Sequence, residues 1–477
     1  MICSLILNIC TLYIINYSFI ILISTGGMKM KDYLNVCLLN DSFPPNIDGV
    51  ANTVVNYANI IQRKYGNAYV ATPYYPDVKD NYLFEVMRYP SLDTSKFVGY
   101  RTGMPLDLTY LTKYYDLNID LLHSHCPIAS TFLARILRHQ LKKPIILTYH
   151  TKFDIDIRNA INGKFVQDVA INALVENIST VDEVWVVSRG AGENLKSLGY
   201  KGDYIVMPNG VDFTKGKSSE ETINAIREEY GLKKDVPTYL FVGRMMWYKG
   251  IKIILDALKI LDDHGRDFKM MFVGANGEIE EIMQYARDLK IYDKCIFTGA
   301  VRDREKLKGI FSSCDLFLFP STFDTNGIVV REAAASGLGS VLIKDSCAAE
   351  DVTDDRNAIL INENADAMAR VLLERGDQLD YLHDIGEHAM NELYSSWEES
   401  VDRAVARYRE VVEGYEYRKP RFLEMDYDML DSFFMFYADI ATSIDNVKKA
   451  NEELKFTRKR IEDQALNNLE DFLDRWL

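Results

Sequence analysis

The chain has no excess of basic residues. Its 55 lysines and arginines face 70 aspartates and glutamates, giving a formal net charge of −15 over 477 residues. A nucleic-acid binder is usually basic, and strong electrostatic attachment to an anionic membrane needs cations, so the balance disfavours both. There is no CxxC pair. The seven cysteines, Cys3, Cys10, Cys37, Cys126, Cys295, Cys314 and Cys347, are odd in number and scattered. That pattern excludes a disulfide framework and points to a reducing compartment, the cytoplasm. No GxSxG elbow and no Walker A loop occurs, which argues against the hydrolases and ATPases built on them. Tandem repeats and low-complexity tracts are absent as well. The Asp154-x-Asp156 pair does not close an apolar strand, and no other cluster has metal-ligand spacing, so no metal and no other cofactor is expected.

What is present is an ordinary globular composition, 48% hydrophobic and 26% charged, long enough for two or three domains at roughly 100–200 residues each. Residues 1–27 stand apart. Ile2 to Ser24 carry no charge and are long enough to span a bilayer. The stretch reads as an N-terminal anchor or as an untranslated leader ahead of a start at Met28 or Met30. Without a positive n-region it is a poor signal peptide.

From Leu34 onward, short apolar runs alternate with helical patterns: "LNVCLLN", "AYVAT", "NIDLLHSH", "PIILTYH" and "EVWVVS" are separated by segments such as "GVANTVVNYANIIQRKY" and "STFLARILRHQLKK". This alternation predicts a parallel sheet with helices on both faces. A polar stretch with Pro208 and Gly210 interrupts it, and the pattern restarts at "TYLFVG". The expected fold is α/β: two tandem doubly wound, Rossmann-like domains facing a cleft, over 28–207 and 208–396. A crossover helix over 397–417 and a helical extension over 418–477 follow.

Ligands of open parallel sheets bind beyond the carboxyl ends of the strands, so strand ends are where chemistry is sought. "VGRMMWYKG" places Arg244 and Lys249 there, cations suited to a phosphate near a helix N-terminus. Gly49 opens the first helix, where a glycine lets a ligand approach the backbone; a plain turn glycine would look the same. His150 ends a strand, is expected to point into the cleft, and is a candidate acid/base or sugar-binding group; His123 and His125 read more as core histidines. "FDTNGIVVRE" sets Asp324 in a strand–helix loop and Glu332 in the second helical turn. The backbone N–H groups of Asn326, Gly327 and Ile328 lie at the helix N-terminus. Carboxylates so placed can accept hydrogen bonds from sugar and ribose hydroxyls, or simply complement a helix dipole.

Taken together and in order, "GRMMWYKG", "FTGAV", "LFPST" and "DTNGIVVREAAASG" resemble the retaining glycosyltransferases of family 4, with the GT-B fold. The resemblance covers about Leu34 to Tyr417. It implies transfer of a hexose from a UDP- or GDP-linked nucleotide sugar to a lipid or saccharide acceptor, in glycolipid or cell-surface polysaccharide synthesis, without a metal. It also implies roles. Arg244 and Lys249 would hold the diphosphate. Asp324 would contact the donor sugar and Glu332 the ribose, as the E-x7-E acids of the family do. His150 would lie near the sugar, Gly49 in the glycine loop, and Ala300 and Val301 against the base. Asp324 departs from the usual glutamate. A catalytically silent partner subunit of another transferase is the rival reading, and a phosphorylase or glucan synthase is a weaker one.

The acceptor side is less legible. The helix "FLARILRHQLKKP" carries Arg135, Arg138, Lys142 and Lys143, which would suit peripheral membrane docking or merely complement the dipole at its C-terminus. The tail containing "FFMFYADI" is open between a homodimer surface, an acceptor lid and a membrane-touching element.

Overall fold

The computed structural model describes residues 33–46, 48–95, 101–160, 163–275, 277–418 and 429–476, with the side chains of 156, 159, 160, 429, 458 and those beyond 460 left undescribed. The apolar segment 1–27 lies outside the described residues, as does 419–428. Two parallel sheets form the frame. The first is ordered β3-β2-β1-β4-β5-β6-β7, from β1 (Leu34–Leu39), β2 (Gly66–Pro73), β3 (Glu85–Tyr89), β4 (Leu121–Ser124), β5 (Ile145–Tyr149), β6 (Glu183–Val186) and β7 (Ile205–Val206). The second is ordered β10-β9-β8-β11-β12-β13, from β8 (Thr238–Val242), β9 (Lys269–Val273), β10 (Cys295–Gly299), β11 (Leu316–Phe319), β12 (Ser340–Ile343) and β13 (Ile359–Ile361).

The central strands are buried on both faces, which is why β5, β11 and β12 read as nearly unbroken apolar runs rather than alternating ones. The sequence reading does not pick out the short edge strands β3 and β13, nor the small antiparallel ribbon of Ser91–Leu92 and Thr102–Gly103. In each sheet the strand order reverses once, between β1 and β4 and between β8 and β11. The loops at those points face each other across the domain seam.

Helix α1 (Gly49–Lys64) follows β1. Its N-cap Asp48 accepts from the backbone N–H groups of Val50 and Ala51, and Arg63 and Lys64 complement the dipole in its last turn. The chain passes between the domains twice, side by side. Val211 bridges to Ser396, and Ser400 Oγ donates to the Pro208 carbonyl at 2.6 Å. Gly210 is required here, since a Cβ would lie 2.4 Å from the Trp397 backbone. Ser396 and Glu399 form a reciprocal capping box that starts α7 (Trp397–Gly414). This helix returns to the first domain: Trp397, Val401, Ala404, Val405 and Tyr408 join the core cluster of Val54, Tyr57, Ile61 and Trp185. The Tyr408 and Trp185 rings stack at 5.4 Å.

Helix α8 (Met429–Trp476) lies on α2 (Ala129–Leu141) and corrects the membrane-docking reading of that helix. Phe434, Ala438 and Ala441 fill a core with Leu133, Ala134 and Leu137. Arg135 and Arg138 are buried beneath α8, each 2.9–3.0 Å from the Asp431 carboxylate. Arg135 also donates to Asn177 Oδ1 at 3.0 Å. Two of the four cations offered for membrane docking, Arg135 and Arg138, are therefore internal, while Lys142 is exposed. Lys143 lies 3.6 Å from Asp120. Among the described residues no helix is long and apolar enough to cross a membrane.

Burial alone would push the Asp431 carboxyl up, but His139, Arg138 and Arg135 together outweigh it and hold it at about 2. A depressed native value means stability that is full above the unfolded value near 3.9 and is lost as pH falls toward about 2. Asp431→Ala strands two buried guanidinium groups and should cost about 3–5 kcal/mol. Denaturant melts at pH 7 should show that loss, and α8 should become protease-sensitive. A melt like the wild type's would show that the cluster does not anchor α8.

Candidate functional site

The loops after β1, β4, β5, β8 and β11 converge on the seam. Three hydrogen bonds stitch the loop after β11 to the first domain. Thr325 Oγ1 donates to the His150 carbonyl at 2.6 Å, Lys152 Nζ to the Thr322 carbonyl at 3.3 Å, and Ser188 Oγ to the Thr325 carbonyl. A fourth tie lies beside them. The Glu350 carboxylate accepts from the backbone N–H groups of Arg189 and Gly190, at the N-terminus of α3 (Arg189–Ser197). Asn56 on α1 donates to Asp212 at 3.1 Å. The cleft is closed in this state.

Lys249 is nearly out of water, 7% exposed, in the turn before α4 (Ile251–Asp263). Its Nζ sits 2.7 and 2.9 Å from the two Asp324 oxygens, and Ser321 Oγ donates to the same carboxylate at 2.6 Å. The expected pair of free cations is thus one cation and one neutralised pair. Desolvation explains it: a buried ammonium needs a carboxylate within reach. Arg244 is exposed, its guanidinium 5.9 Å from the Tyr248 ring centroid, and no carboxylate is recorded against it among the described residues.

Glu332 lies on α6 (Ile328–Ala335), whose N-cap is Gly327 at φ +61°; a Cβ there would lie 2.9 Å from the Ala348 methyl. The Glu332 carboxyl is buried and pushed up by that burial, with Arg304 pulling the other way from 2.6 Å. Sequence reasoning missed Arg304. It stands at the first position of α5 (Arg304–Ser313), directly after the N-cap Asp303. The helix dipole disfavours a cation there, and that was the available signal. Arg304 is also 3.6 Å from Asp212, so it links Glu332 to the interdomain contact at Asn56.

Asn326 is buried with its amide nitrogen unpartnered. Val301 follows β10 and packs against the second-domain core. Gly49 begins α1 beside open space, with nothing within 4 Å of where a Cβ would lie. The structure therefore shows room at Gly49, not a steric need for glycine. Asp154 accepts from Asn194 at 3.2 Å, and no group of three or more potential metal ligands converges among the described residues.

The histidines correct one expectation. His150 is 6% exposed, and burial lowers its value to about 3. Its Nε2 lies 2.9 Å from His125 Nδ1 rather than open to the cleft. It is neutral at physiological pH and suited to hydrogen bonding, not to general-base work. His125 is likewise neutral, and His123 is held between Thr148 at 2.7 Å and Tyr408 at 2.5 Å.

Chemically, the site offers an unpaired guanidinium, a helix N-terminus, two carboxylates with cationic partners and a neutral imidazole. That set can hold a dianionic diphosphate flanked by hydroxylated groups. The model for glycosyl transferases group 1 matches residues 222–391, and that for glycosyltransferase family 4 matches 47–215. The chain is 24% identical over 311 residues to alpha-monoglucosyldiacylglycerol synthase of Streptococcus pneumoniae, covering 64% of this chain and 70% of that one. It is 27% identical to a GDP-mannose-dependent alpha-mannosyltransferase of Corynebacterium glutamicum, covering 66% and 73%. Among solved structures, it is similar to Anabaena HepE in complex with UDP, at TM-score 0.62 and 17% identity over 78% of this chain and 99% of that one.

Arg304→Met should leave Glu332 buried without its partner. The expected loss is about 1–2 kcal/mol, less than for a sealed pair because Arg304 is 42% exposed. Adding Glu332→Gln should restore most of it in a double-mutant cycle. Additive losses would deny the coupling.

Proposed function

This chain belongs to glycosyltransferase family 4, and from that premise we propose that it moves a hexose from a UDP- or GDP-linked donor to a lipid acceptor with retention of configuration. One observation carries the reading. Arg244, the Lys249–Asp324 pair, the α6 N-terminus and Glu332 sit on one side of a closed cleft, with His150 opposite. The diphosphate lies against Arg244, Lys249 and the α6 backbone, the ribose against Glu332, and the hexose between Asp324 and His150.

In the transfer, the bond from the anomeric carbon to the diphosphate oxygen breaks and a bond to the acceptor oxygen forms on the same face. The acceptor's proton passes to the departing phosphate oxygen, so no protein base is required. Arg244 and Lys249 stabilise the charge that grows on that oxygen, which is the differential interaction catalysis needs. Asp324 holds Lys249 in place through two hydrogen bonds in a nearly dry site. A neutral His150, its Nε2 already against His125, has Nδ1 left for a sugar hydroxyl and adds no charge.

Two kinds of support bear on the substrates. The Streptococcus relative is named for a glucosyldiacylglycerol product and the Corynebacterium one for GDP-mannose, while HepE was also crystallised with UDP-glucose. Lipid is the acceptor favoured by Phe165, Val166 and Val169, which are 80%, 51% and 51% exposed on the helix Lys164–Ser179, just beyond the His150 loop. An apolar patch there would let the enzyme touch a membrane beside its own cleft. The unpaired cysteines, with Cys37, Cys126, Cys314 and Cys347 buried, suit the cytoplasmic face.

Thermal-shift measurements against UDP, GDP, ADP and their common sugars test the donor reading. One nucleotide series should raise the melting temperature by mass action. Arg244→Ala should reduce turnover with that donor by about 10²-fold or more, as for other lost charge-stabilising donors. No shift with any nucleotide, or near-normal turnover in the variant, would refute the assignment.

A further inference from the structure

Helix α8 has two faces, and the first domain uses only one. Phe434, Ala438, Ala441 and Asp445 are buried against it. Beside them runs a second stripe, Phe433, Tyr437, Ile440, Ile444, Val447, Asn451 and Leu454, spaced by alternating steps of four and three. That is a heptad seam, with Phe433, Ile440, Val447 and Leu454 at d and Tyr437, Ile444 and Asn451 at a. Tyr437 is engaged by the domain, its hydroxyl donating to the Leu106 carbonyl at 2.6 Å. From Ile440 onward the stripe opens. An apolar groove of about 630 Å³ runs along Phe436, Ile440, Ile444 and Val447, and Val447 and Leu454 are 61% and 67% exposed.

The final recorded ties to the domain are Lys448 Nζ to Thr112 at 3.3 Å and Lys449 Nζ to Asp116 at 3.0 Å. The helix continues to Trp476, roughly 40 Å farther at 1.5 Å per residue. A helix of that length gains most of its stability from packing an apolar face, and this chain supplies no partner for it among the described residues.

We propose that this stripe is a parallel two-stranded coiled-coil seam joining two copies of the chain. Three features select a second copy. A seam with 4-3 spacing is complementary to itself, as a twofold interface must be. Asn451 at a would leave its amide unpaired against lipid or an apolar groove, but meets its own counterpart in a parallel pair, fixing register. The charges choose the same geometry. At e, Lys448 and Lys455 would face the small g residues Ser443 and Ala450 of the other copy. An antiparallel pair pivoting on Asn451 and Leu454 would set Lys455 against Lys455. A membrane is the poorer match, because the Asn451 amide sits in the centre of the stripe and the polar face beyond the lysines at e carries Asp439, Glu452 and Glu453, whereas interfacial helices pair an unbroken apolar face with cations.

The test uses the full chain and is independent of the donor reading. Light scattering during gel filtration should give twice the chain mass. Val447→Lys with Leu454→Lys should give the monomer mass, with an unchanged melting temperature showing that the domains remain folded. Asn451→Cys, otherwise unaltered, should form a covalent dimer on mild oxidation through that residue, as an a–a′ contact in a parallel pair allows. A monomeric wild type, a dimer indifferent to the lysines, or no cross-link at Cys substituted for Asn451 would overturn the proposal. So would a monomer that sediments with phosphatidylglycerol vesicles and stops doing so when the two lysines are introduced.

Discussion

Lys249 is almost out of water, and the Asp324 carboxylate is what makes that tolerable. An ammonium taken into a nearly dry site needs an anion in hydrogen-bond contact, or it loses its proton. The constraint fixes more than one side chain. Asp324 is set by the loop after β11, and the same loop donates from Thr325 to the His150 carbonyl. The position of the cation is thus tied to closure of the two domains. A looser cleft would wet Lys249 and free Asp324 to turn toward solvent.

The same rule, that a desolvated charge must be answered from elsewhere in the chain, recurs at each long-range joint. Arg304 answers Glu332 and brings Asp212 and Asn56 with it. Glu350 answers the exposed N–H groups at the start of α3. Arg135 and Arg138 are answered by Asp431, almost three hundred residues away. None of these pairs is strong evidence of net stability, because desolvation offsets much of the attraction. Their effect is on specificity. Each is costly to break on one side only, so each favours a single relative placement of domain and domain, or helix and domain.

This explains which parts of the molecule could be read from the chain. The buried strands were legible because both faces of a parallel sheet are apolar, leaving runs such as "PIILTYH" and "LFLFP" with no alternation. The crossover helix was legible as an amphipathic run from about Trp397, and the Ser396–Glu399 capping box starts it in the structure. Asp324, Gly327 and Glu332 were legible as a group because strand, loop and helix follow in sequence. The partner of Arg135 and Arg138 was not legible, for the opposite reason. A basic helix looks the same whether its cations face solvent or an aspartate on a distant helix, and nothing local records Asp431. His150 was placed correctly at a strand end, but its neutrality comes from burial beside His125 and His123, which only the assembled sheet creates.

Helix α8 makes the distinction sharper. Its first four turns obey both rules at once: apolar residues packed on α2, and a carboxylate sealing two guanidinium groups. Beyond Lys449 no partner from the domain is recorded, yet the 4-3 spacing persists through Asn451 and Leu454. A solvated helix needs no such spacing, since exposed positions are indifferent to it. An amphipathic helix lying flat on lipid would place no amide in the centre of its apolar face. Periodicity that outlasts the intramolecular interface is therefore a statement about a second interface, and a lone asparagine within it is a statement about register.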